Sequence, residues 1–329
     1  MKFLIIRFSS IGDIVLTTPV IRCLKQQMKD AEIHFLSKLS MKEVTIANPY
    51  IDQFHYYDNN IHEIIEQLKN EKFDYVIDLH KNFRSFRIRI QLGAKVLSYK
   101  KLSIQKFLLT RFQINVMPGR HISLRCLDAV KDLGVIDDGK GLDYFIAEKD
   151  VVKSEKLPLT HSQGFIAIVI GASFYTKKLT QTKLRLLCKN IHYPIILIGG
   201  KEDAENGNDI ALIDEIKIFN ACGKFSLNES ADIISKSKLV ISHDTGMQYI
   251  ACAYQKKVFA IWGGTSPKLD VEPYYGKRNI SLHKNYLVDK LSCQPCSNYG
   301  TTNCPRKHFK CMELQDVEKI ATDAIEEIK

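Results

Sequence analysis

Short apolar runs that end in Gly, Ser or Asp recur along this chain and alternate with helical patterns, which restricts the possible folds more than any other feature. The first run, residues 2–8 (KFLIIRF), leads into SSIGD and then a helical pattern whose apolar face includes Ile14, Ile21, Leu24 and Met28. Parallel strands need long, usually helical connections, so this alternation is typical of a parallel sheet covered by helices. We predict an α/β fold.

Two series of such runs divide the chain. The predicted strands are residues 2–8, 32–37 and 74–79 in the first series, and 165–173, 193–200, 216–223, 238–244 and 257–263 in the second. Between the series, residues 147–164 are polar, contain Pro158 and have no sustained period, as expected of a linker. We predict two Rossmann-like domains, residues 1–155 and 156–329, with parallel sheets facing each other across a cleft.

Composition and charge restrict the partners. The chain has 329 residues, and its 47 Lys and Arg against 37 Asp and Glu give a formal net charge of +10, which favours an anionic partner. Nucleotides, phosphorylated sugars, nucleic acids and acidic membranes all satisfy this condition. Because the apolar runs are short and the N-terminus lacks a cleavage site, we expect neither a spanning helix nor a signal peptide. Five cysteines lie singly within apolar patterns, which favours a reducing, cytosolic compartment.

One segment is strongly biased. Residues 81–120 contain ten Lys or Arg and no Asp or Glu, and the stretch RSFRIRIQLGAK places Phe, Ile and Leu between its basic residues. A solvated helix face explains such a pattern. A surface for an anionic acceptor or for lipid headgroups explains it equally well.

Polar residues follow several predicted strands. Asp13 comes directly after the first strand, where it could cap a helix or act as an active-site carboxylate. In the second series, strand ends are followed by Ser173 with Lys177, by Glu202 with Asp203, and by the element Asp244, Thr245 and Gly246. A strand that leads through a short Gly-containing turn into a helix offers free backbone N–H groups to phosphate. Neither G-x-G-x-x-G nor a P-loop is present at the first loop, which argues against a dehydrogenase.

Four late cysteines form a separate group: Cys293, Cys296, Cys304 and Cys311. Their spacing, C-x2-C-x7-C-x6-C, is compatible with a structural zinc tetrathiolate, which would leave no open catalytic position. Reduced thiols in a compact loop and a disulfide formed on oxidation are the alternatives.

Taken in order, these motifs resemble glycosyltransferase family 9, which includes the ADP-heptose:lipopolysaccharide heptosyltransferases. The resemblance runs nearly end to end through FLIIRFSSIGDIVLTTPVIRCLK, FDYVIDLHKNFRS, PGRH, IGASFYTKKLT, IGGKED, SHDTGMQYIA, IWGGTSP and CQPC with CPRKHFKCM. It implies the two-domain GT-B architecture and an inverting transfer of heptose from a nucleotide diphosphate to the lipopolysaccharide core without a catalytic metal. The N-terminal domain would bind the acceptor and the C-terminal domain the donor.

The resemblance also implies roles for individual residues. Asp13 matches the candidate general base, and Lys177 matches the lysine that meets the donor phosphates. The implied donor-binding residues are Ser173, Lys177, Glu202, Asp203, Asp244, Thr245, Gly246 and Tyr249, and the implied acceptor-binding residues are Ser10, Gly12, Arg84 and Arg120. The family usually has histidine where this chain has Tyr249, and tryptophan and proline where it has Leu179 and Thr180.

We therefore expect an ADP-heptose-dependent transferase at the cytoplasmic face of the inner membrane, acting on an anionic lipid-linked saccharide and not on nucleic acid. A transferase with another donor, a nucleotide-sugar epimerase of similar build and a non-enzymatic binding protein are the alternatives. The sequence leaves open the exact donor, the acceptor, the linkage position and the oligomeric state.

Overall fold

The computed structural model describes residues 1–58, 60–277 and 282–329, which form two compact units. Unit 1 comprises Met1–Lys101, Arg120–Ala147 and Gly276–Arg278, and unit 2 comprises Leu102–Gly119, Glu148–Tyr275 and Asn279–Lys329. The transition after Ala147 lies at the start of the polar segment interpreted as a linker. The segment Leu102–Gly119 groups with unit 2, although the sequence places it in the first domain.

Unit 1 is built on a parallel sheet of five strands in the order β3-β2-β1-β4-β5. These strands are β1 (Lys2–Ile6), β2 (Glu32–Lys38), β3 (Gln53–Tyr57), β4 (Tyr75–Asp78) and β5 (Lys95–Ser98). The central strand β1 is buried on both faces, which explains its continuous apolar sequence. The two strands absent from the prediction, β3 and β5, are the edge strands, and both are partly exposed.

Unit 2 contains a parallel sheet of six strands in the order β11-β10-β9-β6-β7-β8. These strands are β6 (Ile166–Val169), β7 (Ile195–Ile198), β8 (Ile218–Asn220), β9 (Leu239–His243), β10 (Val258–Ile261) and β11 (His283–Tyr286). The predicted α/β class with two parallel sheets is confirmed.

The helices in chain order are α1 (Ile11–Val15), α2 (Thr18–Gln27), α3 (Lys42–Thr45), α4 (Ile61–Lys69), α5 (Phe83–Leu92), α6 (Ser103–Phe112), α7 (Ile122–Leu127), α8 (Gln181–Asn190), α9 (Ala204–Ala211), α10 (Leu227–Lys236), α11 (Gly246–Ala253), α12 (Lys310–Glu313) and α13 (Val317–Ile328). The helical pattern after β1 is split into α1 and α2, and Pro19 lies in the first turn of α2, where proline is tolerated. None of the helices in the described residues has the length and apolarity to cross a membrane.

Strand order defines one topological switch point in each sheet. In unit 1 the chain moves outward from β1 through β2 to β3 and returns to place β4 on the other side of β1. In unit 2 the same event separates β6 from β9. Ligands of open α/β sheets bind beyond the carboxyl ends of the strands at such points. The loops after β1 and β4, and those after β6 and β9, are therefore where a site is expected.

Candidate active-site residues

In unit 1, Asp13 lies in the first turn of α1, just beyond the carboxyl end of β1. Its carboxylate forms an ion pair with Arg7, with Arg7 Nη2 2.7 Å from Asp13 Oδ1. The other carboxylate oxygen accepts hydrogen bonds from Ser10 N at 3.2 Å and Ser10 Oγ at 3.0 Å. Arg7 is buried and also donates to the backbone carbonyl groups of Ser9 and Leu79. The Arg7 guanidinium thus joins the loop after β1, the start of α1 and the end of the neighbouring strand β4.

The surroundings of Asp13 keep its carboxylate ionised. Burial alone raises the pKa of Asp13, but the Arg7 charge and the Ser10 hydrogen bonds outweigh it, so the pKa is lowered below its usual range. The side chain remains 32% exposed. Asp13 does contribute to capping, because it accepts the N–H of the N-cap residue Ser10. Capping and availability to a ligand therefore coexist in one carboxylate.

The loop after β4 brings a further group to this edge of the sheet. Burial and the neighbouring Arg7 charge lower the pKa of His80 to about 3, so its ring is neutral at physiological pH. His80 Nδ1 is buried and has no hydrogen-bond partner among the described residues. Its ring packs against Phe8, and the Arg84 guanidinium lies 5.7 Å from the Phe8 ring centroid. Sequence reasoning missed Arg7 and His80, although both lie within the quoted motifs.

The basic residues of α5 do not form one uniform solvated face. Arg84 is exposed, whereas Arg89 Nη1 lies 3.6 Å from the buried carboxylate of Asp78 and its guanidinium stacks on Phe86. Arg87 donates to the ring of His62 at 3.1 Å. Of the three, Arg84 is therefore the best placed to reach a ligand near Asp13.

The other proposed acceptor residues are positioned differently. Gly12 is buried within α1, and Ser10 is bonded to Asp13 as described. Arg120 forms a two-contact ion pair with Asp128, at 2.7 and 2.6 Å, on the exposed surface of unit 1. Arg120 is thus neutralised by a neighbour within its own loop and helix region, which weakens the case for its contact with an acceptor.

In unit 2, the loops after β6 and β9 meet through an ion pair. Lys177 Nζ lies 2.8 Å from Asp244 Oδ2 and also donates to the Asp244 backbone carbonyl at 2.8 Å. Thr265, from the loop after β10, donates to the same carboxylate oxygen at 2.8 Å. An ammonium has three N–H donors, so two of them are used here and one is left for a ligand.

Asp244 leads into α11, whose first turn is open to an anion. The N-cap residue Thr245 makes no side-chain hydrogen bond to the helix, and Gly246 begins it. The uncapped N–H groups and the helix dipole favour negative charge at this end. The Thr245 hydroxyl and both polar atoms of Gln248 are buried without a hydrogen-bond partner in the described chain. The Thr245 side chain therefore does not cap the helix.

The two acidic residues after β7, Glu202 and Asp203, lie in different environments. Asp203 is buried, accepts the N–H of Gly200 at 3.0 Å and forms an ion pair with Lys178 at 2.7 Å. Glu202 is exposed and stays available to a ligand at the surface. Ser173 is exposed in the loop after β6. The structure therefore distinguishes a positioning carboxylate, Asp203, from an accessible one, Glu202.

Tyr249, which the resemblance implies as a donor-binding residue, is buried and hydrogen-bonded within unit 2. Its side chain is 5% exposed, and its hydroxyl donates to the backbone carbonyl of Val271 at 2.6 Å. A histidine does lie nearby in the sequence: His243, at the end of β9, accepts a hydrogen bond from the backbone N–H of Leu179 at 2.9 Å. Burial lowers the pKa of His243 to about 3, so it stays neutral. His243 thereby ties the loop that contains Lys177 to β9, a contact that the sequence did not reveal.

The four late cysteines all carry free thiols. Cys293 Sγ lies 3.7 Å from His308 Nε2, and Cys311 is buried in the core of unit 2. Burial raises the pKa of Cys304, but backbone N–H groups of residues 306–309 outweigh it, so the pKa is lowered. Within the described residues, the set of three metal-ligating side chains whose donor atoms lie within 4.8 Å of one another is His34, His55 and Glu71. The four sulfurs are more widely spread.

Two α/β units, each built on a parallel sheet, are the architecture of glycosyltransferases with the GT-B fold. In unit 2 the carboxyl ends of the strands also form an edge that suits phosphate binding. The model of glycosyltransferase family 9 (heptosyltransferase) matches residues 61–304, and the chain belongs to this family. The chain is therefore a glycosyltransferase.

Individual relatives agree with this assignment. Lipooligosaccharide heptosyltransferase 2 of Campylobacter jejuni is 25% identical over 349 residues, covering 98% of this chain and 97% of the relative. Lipopolysaccharide heptosyltransferase 1 of Campylobacter coli is 26% identical over 292 residues, covering 80% and 84%. The structure of ADP-heptose heptosyltransferase II from Escherichia coli superimposes with a TM-score of 0.74 at 16% identity, covering 100% of this chain and 98% of that one. This last likeness concerns the fold.

Proposed function

We propose that this glycosyltransferase moves heptose from an ADP-sugar to a lipopolysaccharide-core or similar lipid-linked acceptor, with inversion at the anomeric carbon. The proposal is carried by one observation at the carboxyl edge of the unit 2 sheet. There Asp244, which forms an ion pair with Lys177, lies just before the uncapped first turn of α11. Relatives named as heptosyltransferases, and a structural neighbour named for ADP-heptose, support heptose and ADP as the donor parts.

The donor diphosphate is proposed to lie at the N-terminus of α11. The free N–H donor of Lys177 and the uncapped backbone N–H groups of α11 would meet its negative charge, which grows when the bond to the sugar breaks. Asp244 and Thr265 hold the lysine in place. Glu202 is accessible for ribose or sugar hydroxyls, whereas Tyr249 is proposed to shape the pocket through its bond to Val271. Because these donors supply the neutralising charge, transfer should need no added divalent metal.

The base is proposed to be Asp13. Inverting transfer is a single displacement, in which the acceptor hydroxyl loses its proton while its oxygen attacks the anomeric carbon and ADP leaves. A base for this step must be ionised and reachable, and Asp13 satisfies both conditions. Neutral His80 and exposed Arg84 lie on the same edge of unit 1 and would contact the acceptor sugar or its anionic groups.

The acceptor's lipid is proposed to keep the protein at the cytoplasmic face of the inner membrane. Exposed apolar side chains accompany the basic segment, including Phe83, Ile104, Phe107 and Phe112, each more than half exposed. Apolar side chains among cations and without acidic residues suit an anionic lipid surface. Nucleic acid is not proposed as a partner, because the family model and the relatives are those of sugar transferases.

The decisive experiment incubates the purified full chain with ADP-heptose and a heptose-free lipopolysaccharide core. We expect ADP release that depends on the acceptor, and a product heavier by one heptose with inverted anomeric configuration by NMR. Conversion of the sugar nucleotide without acceptor would instead favour an epimerase. Binding without any turnover across a panel of nucleotide sugars would favour a binding protein. Turnover with a different nucleotide sugar would keep the reaction class and correct the donor.

A further inference from the structure

The cysteine group lies in a long irregular segment of unit 2. Between the end of β11 at Tyr286 and the start of α12 at Lys310, the chain forms turns and bends with no helix or strand. Cys293, Cys296 and Cys304 are partly buried in this segment, and Cys311 follows it in α12. A connection of this length inside a compact domain is uncommon unless something besides regular backbone pairing holds it together.

The chemistry around the thiols suits a metal ion. Four thiolates are a donor set that selects Zn²⁺ or iron in tetrahedral geometry. Such a site carries a net charge of about −2, since four thiolates surround one divalent cation. Residues 290–312 contain no Asp or Glu, whereas Arg306, Lys307 and Lys310 lie among the cysteines and would offset that charge.

The sulfurs must approach one another on binding. In a closed tetrathiolate they would be about 3.8 Å apart, given metal–sulfur bonds of about 2.3 Å. The free thiols are spread more widely than this, because no three of them fall within 4.8 Å of one another in the described chain. Cys311 is buried in the core of unit 2, and the partly buried Cys304 packs against the same core. Closure therefore requires rotation of cysteine side chains together with adjustment of the backbone between them.

The same segment contacts the loops after β6 and β10, at the edge of the sheet where the sugar donor is proposed to bind (here called the donor edge). Gln294 Nε2 donates to the backbone carbonyl groups of Trp262, Gly263 and Thr265, at 3.1, 2.7 and 3.4 Å. The Thr301 backbone N–H donates to Thr176 Oγ1 at 2.7 Å, and the Thr176 N–H donates to the Thr301 carbonyl at 3.2 Å.

These contacts reach the residues next to the ion pair proposed to bind the donor diphosphate. Thr176 directly precedes Lys177 in the chain. Thr265 is the residue whose hydroxyl donates to the Asp244 carboxylate. Phe309 also stacks on Tyr175, with ring centroids 4.6 Å apart. The segment therefore contacts both loops that position the Lys177 and Asp244 ion pair.

We propose that Cys293, Cys296, Cys304 and Cys311 bind one Zn²⁺ or Fe²⁺ ion as a closed tetrathiolate, and that this ion fixes the loops that position Lys177 and Asp244. The metal is structural, since four thiolates leave no position for substrate. The metal site itself does not depend on the proposed function, whereas its effect on ADP binding rests on it.

The first test measures metal in the full chain purified under reducing conditions without affinity metals. We expect about one zinc or iron per chain by elemental analysis, and after Co²⁺ exchange the visible absorption of tetrahedral cobalt thiolate. The elemental analysis decides between the two metals. Cys293→Ser should reduce retained metal at least about tenfold. The matched control Cys23→Ala, in the core of unit 1, should retain it.

The second test separates metal binding from folding. Removing the metal from the wild-type chain with a thiol-compatible chelator should weaken ADP binding about three- to tenfold while circular dichroism stays unchanged, and Zn²⁺ should restore it. Wild-type protein without stoichiometric metal that also fails to take up Co²⁺ would overturn the proposal. So would intact mass showing disulfides in fresh protein, or full metal retention in Cys293→Ser. Normal metal content with unchanged ADP binding after removal would overturn the link to the donor edge alone.

Discussion

Each unit places an aspartate and a cation at the switch point of its sheet, but the two pairs differ in the exposure of the carboxylate. Asp13 pairs with the buried Arg7 and keeps a side chain that is 32% exposed. The Asp244 side chain is 9% exposed and accepts from both Lys177 and Thr265. Both cations are largely buried, with side chains 11% and 14% exposed, so the difference lies in the carboxylate, which reaches solvent in unit 1 and is buried in unit 2. Under the proposed function, the aspartate–cation pair therefore supplies a base in unit 1 and a phosphate-binding cation in unit 2.

Replacing Asp13 should have the largest effect, because it removes the proton acceptor. We expect Asp13→Asn to reduce transfer by about 100- to 10,000-fold while ADP affinity stays nearly unchanged. Asparagine caps a helix about as well as aspartate, so a role in capping alone predicts little change. Single-turnover transfer, measured beside calorimetric ADP affinity, distinguishes these outcomes. Asp132→Asn, an exposed carboxylate of unit 1, is the matched control.

Replacing Lys177 should affect both binding and turnover. A lysine on the diphosphate interacts in the ground state and more strongly when charge develops on the leaving group, so Lys177→Ala should reduce transfer about 100- to 1,000-fold and ADP affinity about tenfold. Lys189→Ala, on the exposed side of α8, should change neither. If Lys177→Ala weakened transfer with normal ADP binding, the two aspartate–cation pairs would no longer have the distinct roles assigned here.

The pH dependence tests what Arg7 does for Asp13. Because the pKa of Asp13 is lowered, its carboxylate stays ionised above the usual aspartate value of about 3.9, and transfer should not lose this base between pH 7 and about pH 5. Arg7→Gln removes the charge that lowers the pKa and leaves the burial that raises it. The acidic limb of the kcat/KM profile should then move to higher pH. An unmoved limb in a variant that still binds ADP would show that another group titrates.

The smallest effect is expected at the surface of unit 1. The double variant Arg84→Glu with Arg87→Glu should weaken binding to anionic vesicles and raise KM for the lipid acceptor about 30-fold at low salt, because each of the two basic residues near such a surface contributes about 1 kcal/mol. Salt should reduce the difference, and ADP affinity should be unaffected. The double variant Lys29→Glu with Lys72→Glu, outside the basic segment, controls for net charge. Equal vesicle binding in both double variants would assign the Arg84 region to an ordinary solvated face.

The sequence predicted every strand inside the two sheets and one edge strand, β8, and it missed the other three edge strands. All eight predicted strands form, whereas β3, β5 and β11 were not foreseen, and each of them is an edge strand. An edge strand has one unpaired side and partly exposed faces, so a sequence such as HKNY at β11 has no apolar run to detect.

What the sequence by itself determined is the set of polar residues at strand ends, because in parallel sheets the carboxyl ends of neighbouring strands meet at one edge. Local pattern and order were enough to place Asp13, Lys177 and Asp244 there and to indicate the family. Tertiary structure decided which of them contact each other: Arg7 with Asp13, and Lys177 with Asp244 across the switch point of unit 2. It also buried Asp203 and Tyr249 while leaving Glu202 exposed. Burial and pairing depend on residues distant in sequence, and no local pattern encodes them.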